Sequence, residues 1–134
     1  MTCFLISGDQ VLLLRRSQTV TTYRGKWAGV SGSVDENTAQ DQSYREIAEE
    51  TGLTADDVEL VGKSNPIEVT DEKLNRQWLI HPFLFRVLGE SKIRLDWEHT
   101  EYLWIEPDRI QDMETVPKLK ETWDQLQSSN RSPD

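Results

Sequence analysis

The first helical segment of the chain, ENTAQDQSYREIAEET, stands between two sets of β-type apolar runs, and this order constrains the fold more than any other feature. TCFLIS and VLLLRR, separated by GDQ, predict a β-hairpin. SQTVTTYRG reads as a polar loop and KWAGVSGSV as short, glycine-punctuated strand. The helix follows, with Asn37 or Thr38 as its cap and Gly52 as its stop. DVELVGKSNPIEVT then reads as one strand. RQWLIHPFLFRVL reads as a long β run with Pro82 at an edge or bulge. KIRL and YLWI are further strands, and EPDRIQDM turns the chain. In VPKLKETWDQLQ, residues Val116, Leu119, Trp123 and Leu126 form an apolar stripe that predicts a second helix facing the core. The expected fold class is mixed α/β (α+β), as one domain over residues 1–128, with 129–134 as a flexible tail.

Composition narrows the functional classes. The chain has 134 residues with 36% hydrophobic content and five tryptophans, enough for one folded core. No stretch approaches the roughly 20 apolar residues of a membrane span, so no membrane partner is expected. Cys3 is the only cysteine, which excludes an internal disulfide and a cysteine-based zinc site, and fits a cytoplasmic setting. The net charge of −9 argues against nucleic acid as a partner. That charge is unevenly spread. Residues 1–30 hold Arg15, Arg16, Arg24 and Lys26 against Asp9, whereas the remainder is strongly acidic. One ligand gripped from both sides, phosphates by the basic part and a bridging cation by the acidic part, fits this pattern. Solvated surface charge is the plainer account.

The helix carries the chemistry. With Glu46 set at 0°, Glu50 falls at about 40° and Glu49 at about −60° at 100° per residue. Tyr44, Ile47, Ala48 and Thr51 fall on the other side. One face is therefore expected to pack on a sheet while the opposite face displays three carboxylates. Their repulsion calls for a compensating charge: Arg45 stands one turn before Glu49, and hard oxygen ligands of this kind suit Mg²⁺ or Mn²⁺. A calcium loop from Asp35 through Asn37 to Glu46 fails at Ala39 and at Gln40, where glycine is needed.

REIAEETGL resembles the C-terminal half of the Nudix box, matching it at Arg45, Glu46, Ile47, Glu49, Glu50, Gly52 and Leu53. Gly32 stands at the opening glycine, with the spacing to Arg45 one residue short, and the region DENTA has no counterpart of the first box glutamate. Asp35 or Glu36 is the nearby acid to take over part of its role. The resemblance implies a Nudix-like α/β/α sandwich with a mixed β-sheet and a catalytic helix at about 39–52. It also implies Mg²⁺-dependent (or Mn²⁺-dependent) hydrolysis of a nucleoside diphosphate linked to another moiety. By position, Glu46, Glu49 and Glu50 are implied metal ligands together with the Gly32 carbonyl. Glu46 alternatively orients the attacking water, and Arg45 holds the glutamates. Domains of this family often pair, so a homodimer is an expectation. A weakened, nucleotide-binding relative of the family is the alternative reading, and a structural domain with an acidic helix is a third.

Outside the box, Glu98 is the candidate base or extra ligand, with Glu101 in reserve. Arg24, Lys26, Trp27 and Arg76 are candidate substrate-binding residues, the cations for phosphates and the indole for a base. Arg16 is a further cation for the same cleft. His99 reads as an idle, exposed loop histidine and His81 as a structural one. Trp78 and Trp97 read equally well as core.

Overall fold

The computed structural model describes residues 1–34, 38–90 and 92–129. β1 (Thr2–Ser7) and β2 (Gln10–Arg16) form the expected antiparallel hairpin, with Ser7 opposite Gln10 and a two-residue turn. Gly8 opens that turn at φ 57°, a left-handed conformation that costs glycine little. β3 (Trp27–Ala28) and β4 (Val30–Ser31) are short, pairing with β2 and β1. Helix α1 spans Ala39–Thr51. β5 (Val58–Lys63), β6 (Ile67–Asp71), β7 (Arg76–Ile80), β8 (Pro82–Val87) and β9 (His99–Ile105) follow, then a 3₁₀ helix (Pro107–Asp112) and helix α2 (Leu119–Ser129).

The main sheet runs β3-β2-β1-β8-β5, with β4 on β1 and β9 on β2. β1 and β8 are parallel while the other strand pairs are antiparallel, so the sheet is mixed. β6 and β7 form a separate antiparallel hairpin. Alternation along β1 and β2 sends side chains to opposite faces. Cys3, Leu5, Leu12 and Leu14 join Ile47 of α1 on one face; Phe4, Val11 and Leu13 join Leu119, Trp123 and Leu126 of α2 on the other. Two edge-on aromatic pairs fasten the layers, Tyr44 to Phe85 and Phe4 to Trp123, each worth about 1 kcal/mol beyond burial. Among the described residues no helix is long and apolar enough to cross a membrane.

Six expectations change. DVELVGKSNPIEVT is two strands, β5 and β6, parted before Pro66, and RQWLIHPFLFRVL is β7 and β8, parted at His81 and lying in different sheets. Pro82 sits in an internal strand rather than at an edge, tolerated because it is that strand's first residue. The KIRL segment is not a strand. It passes the end of α1, with the Arg94 N–H donating to the Thr51 carbonyl and Ile93 and Leu95 packing on the α1-side core. EPDRIQDM is helical in part, and α2 starts only at Leu119 because Lys118 adopts φ 66°, which an α-helix does not admit.

Candidate active site

The ends of α1 fix where its glutamates stand. The Thr38 hydroxyl accepts from the Asp41 N–H at 3.2 Å, and Gly52 closes the helix at φ 79°, its N–H donating to the Ala48 carbonyl. Gln42, Ser43, Ile47, Glu50 and Thr51 are buried, whereas Ala48 and Glu49 are exposed. The packing face is thus rotated toward the carboxylates, not opposed to them. Glu50 belongs to the inward face, Glu46 to its margin, and Glu49 to the solvent side.

Glu46 lies against Gly32. A Cβ on Gly32 would stand 2.6 Å from the Glu46 Cδ, so only glycine leaves room for that carboxyl. The Gln42 side-chain amide donates to Glu46 Oε1 at 3.1 Å, and Arg45 Nη2 donates to Gln42 Oε1 at 2.8 Å. Arg45 therefore reaches Glu46 through Gln42 and, among the described residues, forms no ion pair with Glu49. The Gly32 carbonyl accepts from the Met1 nitrogen at 2.7 Å, which extends the β1–β4 ladder by one pair; a carbonyl oxygen carries a second lone pair.

Glu50 is only 1% exposed. Its Oε1 accepts from the Ser31 N–H at 3.4 Å and lies 3.5 Å from His99 Nε2, while His99 Nδ1 is 2.9 Å from Asp96 Oδ1. Glu50 Oε2 and His99 Nε2 have no hydrogen-bond partner among the described residues. Burial first, and then the adjoining Glu46 carboxyl, push the Glu50 carboxyl up to about 10. His99, expected to be exposed, is buried at the start of β9 and closes the inner side of this carboxylate pair.

No group of three or more His, Cys, Asp or Glu side chains among the described residues stands close enough to hold a metal. Mg²⁺ rarely asks for one: it takes one or two carboxylates and completes its octahedron with water and substrate phosphates. The Glu50 oxygen without a partner among the described residues, the Glu46 carboxyl cradled on Gly32 and the Gly32 carbonyl are a donor set of that kind. Asp35, Glu36 and Asn37, where the box loop departs from its pattern, lie outside the described residues.

Ser31 and Gly32 form one edge of a cleft of about 520 Å³. Arg16, Tyr23, Arg76, Trp78 and Glu98 also line it, and Val116, Pro117 and Leu119 add an apolar strip. Glu98 is therefore at the cleft, its carboxyl raised above the usual range by burial and then by the Asp96 charge. Arg76 is there as well. Arg24, Lys26 and Trp27 are engaged elsewhere. Arg24 Nε donates to the Val20 carbonyl, Lys26 pairs with Glu114, and Trp27 packs on the α2-side core beneath Arg15. Glu101 pairs with Arg15 at 2.9 Å, and Trp97 is 68% exposed. Sequence reasoning passed over Tyr23 and Asp96. Neither belongs to a motif, and only the folded chain brings them to the site.

A family model described as the NUDIX domain matches residues 1–126. No curated protein matches the chain in sequence. Among solved structures, it is similar to the dihydroneopterin triphosphate pyrophosphohydrolase of E. coli, with TM-score 0.78 and 21% identity, covering 93% of this chain and 91% of that one. It is similar also to a MutT protein from Methanosarcina mazei Go1, with TM-score 0.71 and 26% identity, covering 98% and 93%. The NUDIX domain of Shewanella oneidensis NrtR, solved with ADP ribose, aligns with TM-score 0.67 and 15% identity, covering 95% and 84%.

Proposed function

The chain belongs to the NUDIX family, and from that premise we propose that it is a Mg²⁺-dependent pyrophosphohydrolase that cleaves a phosphoanhydride bond in a nucleoside diphosphate linked to another moiety. The observation that carries this reading is the Glu46 carboxyl seated on Gly32, beside a buried Glu50 with an unpartnered oxygen, at the edge of a cleft. Structural neighbours that act on a pterin triphosphate or hold ADP ribose support the same class of substrate.

Glu46, Glu50 and the Gly32 carbonyl would hold the cation, with Glu49 completing the set from the solvent side. Mn²⁺ is an acceptable substitute, since the donors are all hard oxygens. A bound divalent cation neutralises phosphate oxygens and lowers the pKa of a water molecule. Glu98, with its raised carboxyl, is suited to accept the proton of the attacking water. One P–O bond forms to that water, the bridging P–O bond breaks, and the proton leaves to the carboxylate. Arg45 acts through Gln42 to keep Glu46 against Gly32. Asp96 holds His99, which flanks Glu50.

The test is a screen of nucleoside triphosphates, nucleotide sugars, dinucleoside polyphosphates and NAD-type compounds with Mg²⁺ or Mn²⁺, reading phosphate or pyrophosphate. Metal-dependent turnover that collapses in Glu50→Gln is expected. Full turnover in that variant would sink the metal-site assignment. A non-catalytic nucleotide-binding module is the second reading, favoured by the missing first box glutamate and by the lack of a pre-assembled three-ligand cluster among the described residues. It predicts tight nucleotide binding without product under either metal.

A further inference from the structure

The far wall of the cleft is built from two elements that are distant in sequence. On the β6–β7 hairpin, Asp71 pairs with Arg76 and Val69 with Trp78, which puts all four side chains on one face. The Arg76 guanidinium lies over the Trp78 ring, 5.5 Å from its centre. Across from them, Arg16 at the end of β2 is pinned by the loop that follows. Its Nε donates to the Thr22 carbonyl at 2.9 Å and its Nη2 to the Thr22 hydroxyl at 3.3 Å. The next residue, Tyr23, ties the two elements together, its hydroxyl donating to Asp71 Oδ2 at 2.6 Å.

Three features single out this arrangement. Tyr23 adopts φ 51°, a costly conformation for an aromatic residue, and such strain gathers where a side chain must be aimed. Arg16 and Arg76 line the same cleft as Tyr23, one from each of the two elements that Tyr23 ties together. Neither has an ion-pair partner among the described residues. Asp71, the cross-strand partner of Arg76, is occupied: it accepts from Tyr23 at one oxygen and from the Leu74 N–H at the other. Glu98 lines the same cleft, its backbone carbonyl accepting from the N–H of Ser17, the residue after Arg16.

We propose that Arg16 and Arg76 form a paired phosphate subsite that takes a phosphoryl group of the substrate other than the one under attack, and that the Tyr23–Asp71 hydrogen bond sets its span. The subsite rests on the hydrolase reading only in the choice of ligand, because its binding needs no metal. Tyr23 and Asp71 are positioning residues. They touch the arginine-bearing walls rather than the reacting atoms.

The test is binding in EDTA, read by tryptophan fluorescence and calorimetry, with ADP, GDP, CDP and UDP each set against its nucleoside. At least one diphosphate is expected to bind about tenfold or more tighter than its nucleoside, as charge-assisted bonds to two guanidiniums imply. Arg16→Met and Arg76→Met should each remove most of that preference, with Arg→Lys at either position retaining part of it. Asp71→Ala should weaken diphosphate binding, and Asp71→Asn, which keeps an acceptor for the tyrosine hydroxyl, should restore it. Melting curves identify any variant that fails to fold, and the lysine and asparagine variants then decide. The proposal is overturned if no diphosphate outbinds its nucleoside. It is also overturned if the folded arginine variants keep the wild-type preference, or if Asp71→Ala binds like the parent. Diphosphate binding in EDTA without metal-dependent turnover would sink the hydrolase reading and leave the subsite standing.

Discussion

Replacing Gly32 by alanine inserts one methyl group where Glu46 lies. The new Cβ would stand 2.6 Å from the Glu46 Cδ and 2.8 Å from its Cγ and Oε1. Carbon atoms settle at about 3.5–4.0 Å, so the carboxyl must retreat by roughly 1 Å. The obstacle is the end of a flexible side chain, so the backbone can stay in place. Overpacking costs about 1–3 kcal/mol in a rigid core and less here, and the lost unfolded-state freedom of glycine returns about 0.4–1 kcal/mol where the conformation suits alanine. Stability should therefore fall by no more than about 1–2 kcal/mol. Activity should fall much further, because a displacement of about 1 Å in a catalytic group costs on the order of a hundredfold. The assay pairs thermal melting with kcat/KM in Mg²⁺. A double-mutant cycle adds Glu46→Asp, whose shorter chain clears the methyl group, and the two changes should be strongly non-additive. Wild-type kcat/KM in Gly32→Ala, or strictly additive losses in the cycle, would refute the claim that Gly32 positions Glu46.

Two further outcomes follow from buried groups. The folded-state Glu50 pKa of about 10 lies above its ordinary 4.5, so this group's contribution to stability is complete below pH 4.5 and is lost as pH rises toward 10. In EDTA, the unfolding free energy of the wild type from urea melts should decline between pH 6 and 9, by at most about 1.4 kcal/mol per pH unit from this group, and Glu50→Gln should flatten that decline; parallel curves would refute it. Cys3 is fully buried, and burial pushes its thiol up to about 12, so a disulfide reagent should leave it unlabelled until denaturant exposes it. Prompt labelling of the native protein would show that the sheet beneath α1 opens readily.

Local signals in the sequence read well where one element decides the outcome. The β1–β2 hairpin, the Thr38 cap, the Gly52 stop and the apolar stripe of α2 all depend on short-range chemistry, and the fold has them. The split of RQWLIHPFLFRVL did not show, because periodicity cannot say that β7 and β8 join different sheets. The rotation of α1 was also hidden. A helical wheel places Glu50 beside Glu46 but does not reveal that Ser31 and His99 wait beneath it. Arg24, Lys26 and Trp27 looked suited to a ligand by type and by nearness to the box. The β2–β3 turn directs them to Val20, Glu114 and the core instead, while Arg16 and Tyr23 from the same segment reach the cleft.

The long-range pairings of β1 with β8 and of β2 with β9 govern when this site can exist at all. Beyond its nearer partner Ser31, Thr2 lies opposite Pro82 of β8, and Arg16 lies opposite His99 of β9. Contacts of such long sequence separation form slowly, because the intervening chain must first be closed into a loop. On a ribosome, the box helix leaves the exit tunnel well before the strands that support it. Its buried glutamate therefore has no inner wall until the chain beyond residue 99 has emerged. The surface proposed to hold the cation is thus completed only once β9 has formed, and a nascent chain of half length carries the REIAEETGL segment without the site.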